Sequence, residues 1–333
     1  MHPLPAGAES AGHAHNPFNI FNLYWENDFF AGTDRNYSNG IKATWSTPLS
    51  VEEEDGRLPD WSRQIMDRLP WMKDGSANRA VSLSLGQLIY TPQHVEKTEL
   101  IEDDRPYAGY TYFGIGFHSK NGFRRHVWEV DIGVIGPLSL AEKTQNNIHR
   151  FLANDLAQGW DHQLENEPTL DIITETKWRL LSGNLGGGWG FDFIPHLGAR
   201  LGNVAIYANT GAEIRLGWYL GQEFGSCAIR PGCETVSAAE NAAINGFRAH
   251  KTSFYLFLGV DGRAVLRDIF LDGNTFTDSH SVDKEPFVAD LIGGLAFRYR
   301  RVLLSYAYVV RSQEFKEQDR DHIFGAINIS YSF

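Results

Sequence analysis

The stretch LDIITETKWRLL, residues 170–181, decides the fold. Leu170, Ile172, Trp178 and Leu180 fall on one parity, and Asp171, Glu175, Lys177 and Arg179 on the other. Successive side chains of a β-strand point to opposite faces, so this period of two gives a strand with one apolar and one ionisable face. The usual strand of a globular domain has about 5–6 residues. A longer one suits a tilted crossing of a bilayer, which takes about 9–11.

The same alternation runs outward from this stretch. Upstream, Phe18–Phe30 sets Phe21, Leu23 and Trp25 against Asn22, Tyr24, Glu26 and Asp28, and Tyr37–Pro48 sets Ile41, Ala43 and Trp45 against Lys42, Thr44 and Ser46. Ala80–Thr91 carries Val81, Leu83, Leu85 and Ile89 on one face. After Tyr107–His118, Lys120-Asn121-Gly122 signals a hairpin turn into Arg125–Ile135. Downstream, Gly183–Gly188 reads as a turn. Trp189–Leu201, Val204–Tyr219, Thr252–Arg263, Phe287–Tyr299, Val302–Arg311 and Ile323–Phe333 then complete about twelve strands. Trp25, Trp45, Trp128, Trp178 and Trp218 all lie on apolar faces, mostly near strand ends, as an interfacial girdle requires. The pattern predicts an all-β protein: a twelve-stranded antiparallel transmembrane β-barrel over residues 18–333, preceded by a disordered tail over 1–17. A soluble β-barrel of the lipocalin kind is the alternative.

Three segments break the alternation. Ser139–Leu152, SLAEKTQNNIHRFL, is the one long run with helical periodicity. Ser139 and Glu142 have capping-box spacing, and Glu142, Gln145, His149 and Leu152 are expected to share a face. Between Glu52 and Gly75, Trp61, Ile65, Leu69 and Met72 predict a short amphipathic helix or a packed loop. The loop holding Cys227 and Cys233, the only two cysteines, is compatible with a disulfide in an oxidising compartment.

Composition bounds the function. The chain has 333 residues, a formal net charge of −11, 33 glycines and 13% aromatics. That charge argues against nucleic acid as a partner. No apolar run reaches the length of a membrane helix, and a mean hydropathy of −0.32 leaves room for a barrel, whose strands never build a hydropathy peak. The N-terminal MHPLPAGAESAGHAHNPF lacks the basic and apolar segments of an intact secretory signal.

Barrel topology sorts the loops. Those after the first, third and fifth strands share one rim. They and the adjoining strand ends carry Asn27, Asp28 and Ser38, then Lys97 and Asp103-Asp104-Arg105, then Gln145 and His149. A site on this rim is expected from residues 25–41, 90–106 and 137–168.

Four stretches, WENDFFAGTDRNYSNGI (25–41), QLIYTPQHVEKTELIEDDRPYAG (87–109), DIGVIGPLSLAEKTQNNIHRF (131–151) and GWDHQLENEP (159–168), resemble the outer-membrane lipid A 3'-O-deacylase family. The resemblance implies a twelve-stranded barrel in the bacterial outer membrane. It implies an active site facing outward, between the wall and an extracellular helix, and calcium-dependent hydrolysis of the ester that holds the 3'-linked acyloxyacyl chain of lipid A. It places the family's catalytic histidine at His149, the preceding glutamine at Gln145, its Asn-Asp pair at Asn27 and Asp28, its hydroxyl residue at Ser38 and its lysine at Lys97.

These residue types suit ester hydrolysis. An imidazole, with an ordinary pKa of about 6.5, takes a proton from water. Ca2+ prefers hard oxygen ligands such as Asp28, with Ser38 as a further ligand or positioning group. Lys97 and Arg105 suit the phosphates of a lipopolysaccharide substrate, although Arg105 fits a rim ion pair equally well. Ser38 with His149 leaves a phospholipase-like hydrolase open, and a pore or adhesin is the non-enzymatic alternative.

Overall fold

The computed structural model describes residues 17–28, 37–49, 58–73, 77–152, 156–221, 223–225 and 251–333. The expected disordered tail, apart from Pro17, and the cysteine pair lie outside them. Thirteen strand segments form one antiparallel sheet: β1 (Ile20–Asn27), β2 (Tyr37–Ser46), β3 (Asn78–Tyr90), β4 (Ala108–Lys120), β5 (Arg124–Ile135), β6 (Glu167–Trp178), β7 (Leu181–Gly186), β8 (Trp189–Gly202), β9 (Ala205–Trp218), β10 (Thr252–Asp268), β11 (Phe287–Tyr299), β12 (Val302–Arg311) and β13 (His322–Ser332). The helices are α1 (Asp60–Met66), α2 (Ala141–Leu152) and α3 (Ile269–Asp272).

Twelve staves close the barrel. β1 pairs with β13, and β6 pairs with β8 from Asp171↔Gly202 to Lys177↔His196. β7 then pairs with the remainder of β8, from Leu181↔Phe193 to Gly186↔Trp189. β6 and β7 are therefore one stave, broken where Arg179 N–H turns to the Phe123 carbonyl. The turn expected over Gly183–Gly188 is confined to Gly187-Gly188, because 181–186 continues the stave.

The polarity is that of a membrane barrel. Outward positions such as Ile41, Leu85, Phe113, Ile132, Ile172, Ile214 and Leu258 are exposed apolar side chains, while inward ones are buried and charged. Buried charge is tolerable only when paired, and the lumen is a lattice of pairs: Lys42–Glu129 at 3.3 Å, Arg200–Asp171 at 3.2 Å, His196–Asp261 at 2.6 Å and Arg215–Asp192 at 2.5 Å.

The antiparallel order puts the connections after β1, β3, β5, β8, β10 and β12 on one rim, called the α2 rim. The insert between β2 and β3 sits at the opposite rim. There Met66, Met72 and Leu58 pack on outward-facing Val81 and Phe117. The short helix expected in that insert is α1; its Trp61 and Ile65 are exposed, the Trp61 ring standing edge-on to Phe117 at 6.2 Å between centroids.

Candidate active site on the outer wall

A register row crosses the outside of the wall at the α2 rim. Asn27 of β1 pairs with Asn39 of β2, Asn39 with Ile89 of β3, and Ile89 with Gly109 of β4. All four share the parity of exposed Trp25, Ile41, Leu85 and Phe113. Strands lie about 4.8 Å apart, so Asn27 stands about 10 Å along the wall from Ile89. Trp25 Nε1 donates to Asn39 Oδ1 at 2.9 Å. The register of β2 shifts between Tyr37 and Asn39, which puts Ser38 at a β-bulge; its side chain lies outside the described residues. Asp28, in the turn after β1, is buried.

Helix α2 seats on the β3–β4 end of this row. Gly109 is required there: a Cβ on it would lie 2.2 Å from both the Ala141 Cβ and the Ser139 Oγ. The Ser139 carbonyl accepts hydrogen bonds from Gln87 Nε2 at 2.7 Å and Thr111 Oγ1 at 2.8 Å, both reaching out from the wall. Ser139 Oγ donates to the Gly136 carbonyl at 2.6 Å, closing a 3-10 turn over Pro137–Ser139, so the α-helix begins only at Ala141. This shift changes the expected face. Ala141, Gln145 and His149, four residues apart, are buried, whereas Glu142 is exposed. The side chain of Leu152 lies outside the described residues.

Two loops clamp the helix. Gln158 N–H donates to the Val95 carbonyl at 2.8 Å and Ala157 N–H to Asn146 Oδ1 at 3.2 Å. Ile89, Tyr107, Ala141, Ala157 and Trp160 form the apolar layer between helix and wall. Burial pushes the Tyr107 phenol up to about 12, against the opposing pull of its backbone contact at Gly159, so it stays protonated.

Trp160, a residue the sequence reading passed over, fixes Gln145. Its Nε1 donates to Gln145 Oε1 at 3.0 Å, both groups being buried. Indole is a donor only, so the amide oxygen must face Trp160. Gln145 Nε2 is thereby aimed the other way, where it has no partner among the described residues. The signal available in the sequence was an aromatic isolated in the polar loop GWDHQLENE.

The remaining candidates separate. Lys97 is exposed on the loop beside Gly159, its carbonyl 3.1 Å from where a Gly159 Cβ would stand. Arg105 turns away from the outer wall. Its guanidinium Nη2 donates to Glu314 Oε2 at 2.8 Å and lies over the rings of Tyr90 and Phe315, at 5.5 Å from each. Burial opposes ionisation of Glu314, but Arg105 and Arg311 outweigh it and hold the carboxyl at about 2. Asp104 accepts from the backbone N–H of Gln93 and of Arg105, each at 2.7 Å, and so braces the loop. Asp161, His162 and Glu165 are exposed. No cluster of three or more His, Cys, Asp or Glu side chains occurs among the described residues. A cation here would draw on Asp28 together with neutral oxygens.

A family model described as outer membrane protein LpxR matches residues 2–333. No curated protein sequence matches the chain. Among solved structures, LpxR from Salmonella typhimurium is similar with a TM-score of 0.73 at 21% identity, covering 94% of this chain and 100% of that one. The β domain of the Bordetella autotransporter BrkA gives a TM-score of 0.46 at 8% identity, over 95% and 99% of the two chains.

Proposed function

Since the chain belongs to the outer membrane protein LpxR family, we propose that it is a calcium-dependent lipid A 3'-O-deacylase whose α2 rim faces outward. The observation that carries this reading is the placement of Gln145 and His149. Both are buried on the wall-facing side of a helix that lies outside the barrel, on the lipid-facing parity, at the rim that also bears Asn27, Asp28 and Ser38. A membrane lipid reaches such a site without entering the lumen.

In the proposed reaction a water molecule attacks the ester carbonyl while His149 takes its proton. The carbonyl oxygen becomes an oxyanion, and Gln145 Nε2, oriented by Trp160, is the donor aimed to receive it. Collapse of the tetrahedral intermediate breaks the bond to the sugar oxygen, and His149 returns the proton there. The products are the free acyloxyacyl acid and a 3'-hydroxyl or its equivalent on lipid A. Asp28, Asn27 and Ser38 supply the hard-oxygen donors that suit calcium. The chemistry a bound calcium ion supplies is Lewis-acid polarisation of the ester carbonyl. In this reading exposed Lys97 meets a substrate phosphate, and Arg105, committed to Glu314, holds the loop that carries Lys97.

The test is mass spectrometry of lipid A from Gram-negative cells expressing the protein. Loss of one acyloxyacyl unit is expected, and its abolition by His149→Ala or by a calcium chelator. Unchanged lipid A beside a folded barrel in the outer membrane would refute the assignment.

A further inference from the structure

We infer that residues 58–73 form an interfacial anchor that binds the phospholipid leaflet at the rim opposite α2. The insert is mounted on the outside of the barrel. Leu58, Met66 and Met72 are buried against Val81 and Phe117, Trp128 Nε1 donates to the Pro70 carbonyl at 3.2 Å, and Arg79 pairs with Asp67 at 2.8 Å. Its outer side is nevertheless apolar: Trp61 is 43% exposed, Ile65 38% and Trp71 63%, the rings of Trp61 and Trp71 meeting the wall edge-on at Phe117 and His126. A packed insert in water would turn such rings inward. Here the apolar side continues the lipid-facing belt, and the other tryptophans of this rim, Trp45, Trp128, Trp178, Trp189 and Trp218, ring the barrel at the same end. Tryptophan with one apolar and one polar edge settles at the headgroup level.

Arg63, Arg68 and Lys73 accompany the rings, and of the two acids Asp60 and Asp67 the second is committed to Arg79. Residues 58–73 carry one net positive charge, and their exposed Arg68 and Lys73 suit lipid phosphates, while Glu52, Glu53, Glu54, Asp55 and Asp74 make the whole insert acidic. The anchor rests on the orientation proposed above only in naming the leaflet as phospholipid.

The experiment uses the full chain in bilayers of phosphatidylcholine with phosphatidylglycerol, the acyl chains brominated near the glycerol. The contribution of Trp71 is read as wild type minus Trp71→Phe, with heat-modifiable gel mobility confirming a folded barrel. Bromolipid is expected to quench that emission strongly and aqueous iodide weakly. Arg68→Glu with Lys73→Glu should reduce the bromolipid quenching about two-fold or more in phosphatidylglycerol bilayers and less in phosphatidylcholine alone. Emission quenched by iodide and untouched by bromolipid would overturn the anchor, leaving water or a protein partner on this face. Equal responses in the two lipids would overturn the phosphate contact. Neither result depends on hydrolysis, so failure of the anchor and failure of the deacylase are read separately.

Discussion

Replacing Trp160 with Phe tests whether Gln145 is a positioned donor. The substitution keeps the ring that packs against Tyr107, 5.0 Å between centroids, and removes only the Nε1–H that holds Gln145 Oε1 at 3.0 Å. A buried neutral hydrogen bond contributes about 0.5–1.5 kcal/mol net, and a buried acceptor left unsatisfied costs about 1–3 kcal/mol. The amide can recover that cost by rotating, which withdraws Nε2 from the developing oxyanion. With tenfold in rate per 1.36 kcal/mol, kcat is expected to fall about 5- to 150-fold. KM should change little, because the contact matters after the ester is bound. The assay is the rate of acyloxyacyl release from purified lipid A in mixed micelles, with gel mobility to confirm folding. A double-mutant cycle with Gln145→Ala sharpens it: once the amide is gone, Trp160→Phe should have little further effect. Full activity in Trp160→Phe, or effects that simply add, would refute the positioning argument.

Gly109→Ala is expected to lift α2 from the wall, since its Cβ would meet Ala141 and Ser139 at 2.2 Å. Overpacking of this kind costs about 1–3 kcal/mol, read as lost hydrolysis and faster proteolysis within residues 136–166 of an intact barrel. Arg105→Ala should destabilise the fold by about 1–3 kcal/mol in urea titrations, because Glu314 loses one buried partner and keeps Arg311 at 3.3 Å. Lys97→Ala should instead raise KM and leave stability unchanged; the reverse pattern would exchange their roles. Glu314 has a folded pKa of about 2 against an ordinary 4.5. Its ion pairs therefore stabilise the fold fully above pH about 4.5, and that contribution is lost as pH falls toward 2. Acid unfolding of Glu314→Gln should be shallower over that window.

The strands were legible because parity survives any tertiary context. A one-residue error in register would turn every lipid-facing side chain into the lumen, so the sequence carries the pattern redundantly. Loops have no parity, and there the reading was less determinate. Nothing in Asp103-Asp104-Arg105 distinguishes an arginine turned outward to a substrate from one turned inward to Glu314, 209 residues later. The face of α2 shifted because Leu140, at φ 60°, ends the preceding turn and delays the helix past Ser139. The helix of the β2–β3 insert was legible, but helical periodicity marks an apolar side without saying whether protein or lipid covers it, and Trp61 and Ile65 are exposed. Trp160 was missed because its partner, Gln145, lies across a loop rather than along a strand or helix.

Inverted polarity also changes which residues should draw attention. In a soluble protein a buried charge is a functional clue. In this barrel the lumen is full of paired charges whose partners account for them, among them Asp192 with Arg215 and Asp171 with Arg200. Polar side chains on the lipid-facing parity are the costly ones, since hydrocarbon offers them no partners. Asn27, Asn39, Gln87 and Thr111 break the apolar pattern on that parity toward the α2 rim on β1 to β4, as His126 and Thr176, bonded to each other at 2.6 Å, do toward the opposite rim, where Trp71 covers His126. Of the four at the α2 rim, two hold the Ser139 carbonyl and seat the helix, one accepts the Trp25 indole, and the fourth adjoins Asp28. The departures from parity, more than the charges, mark where this wall is covered by protein instead of lipid, and the covered patch at the α2 rim is where His149 is held.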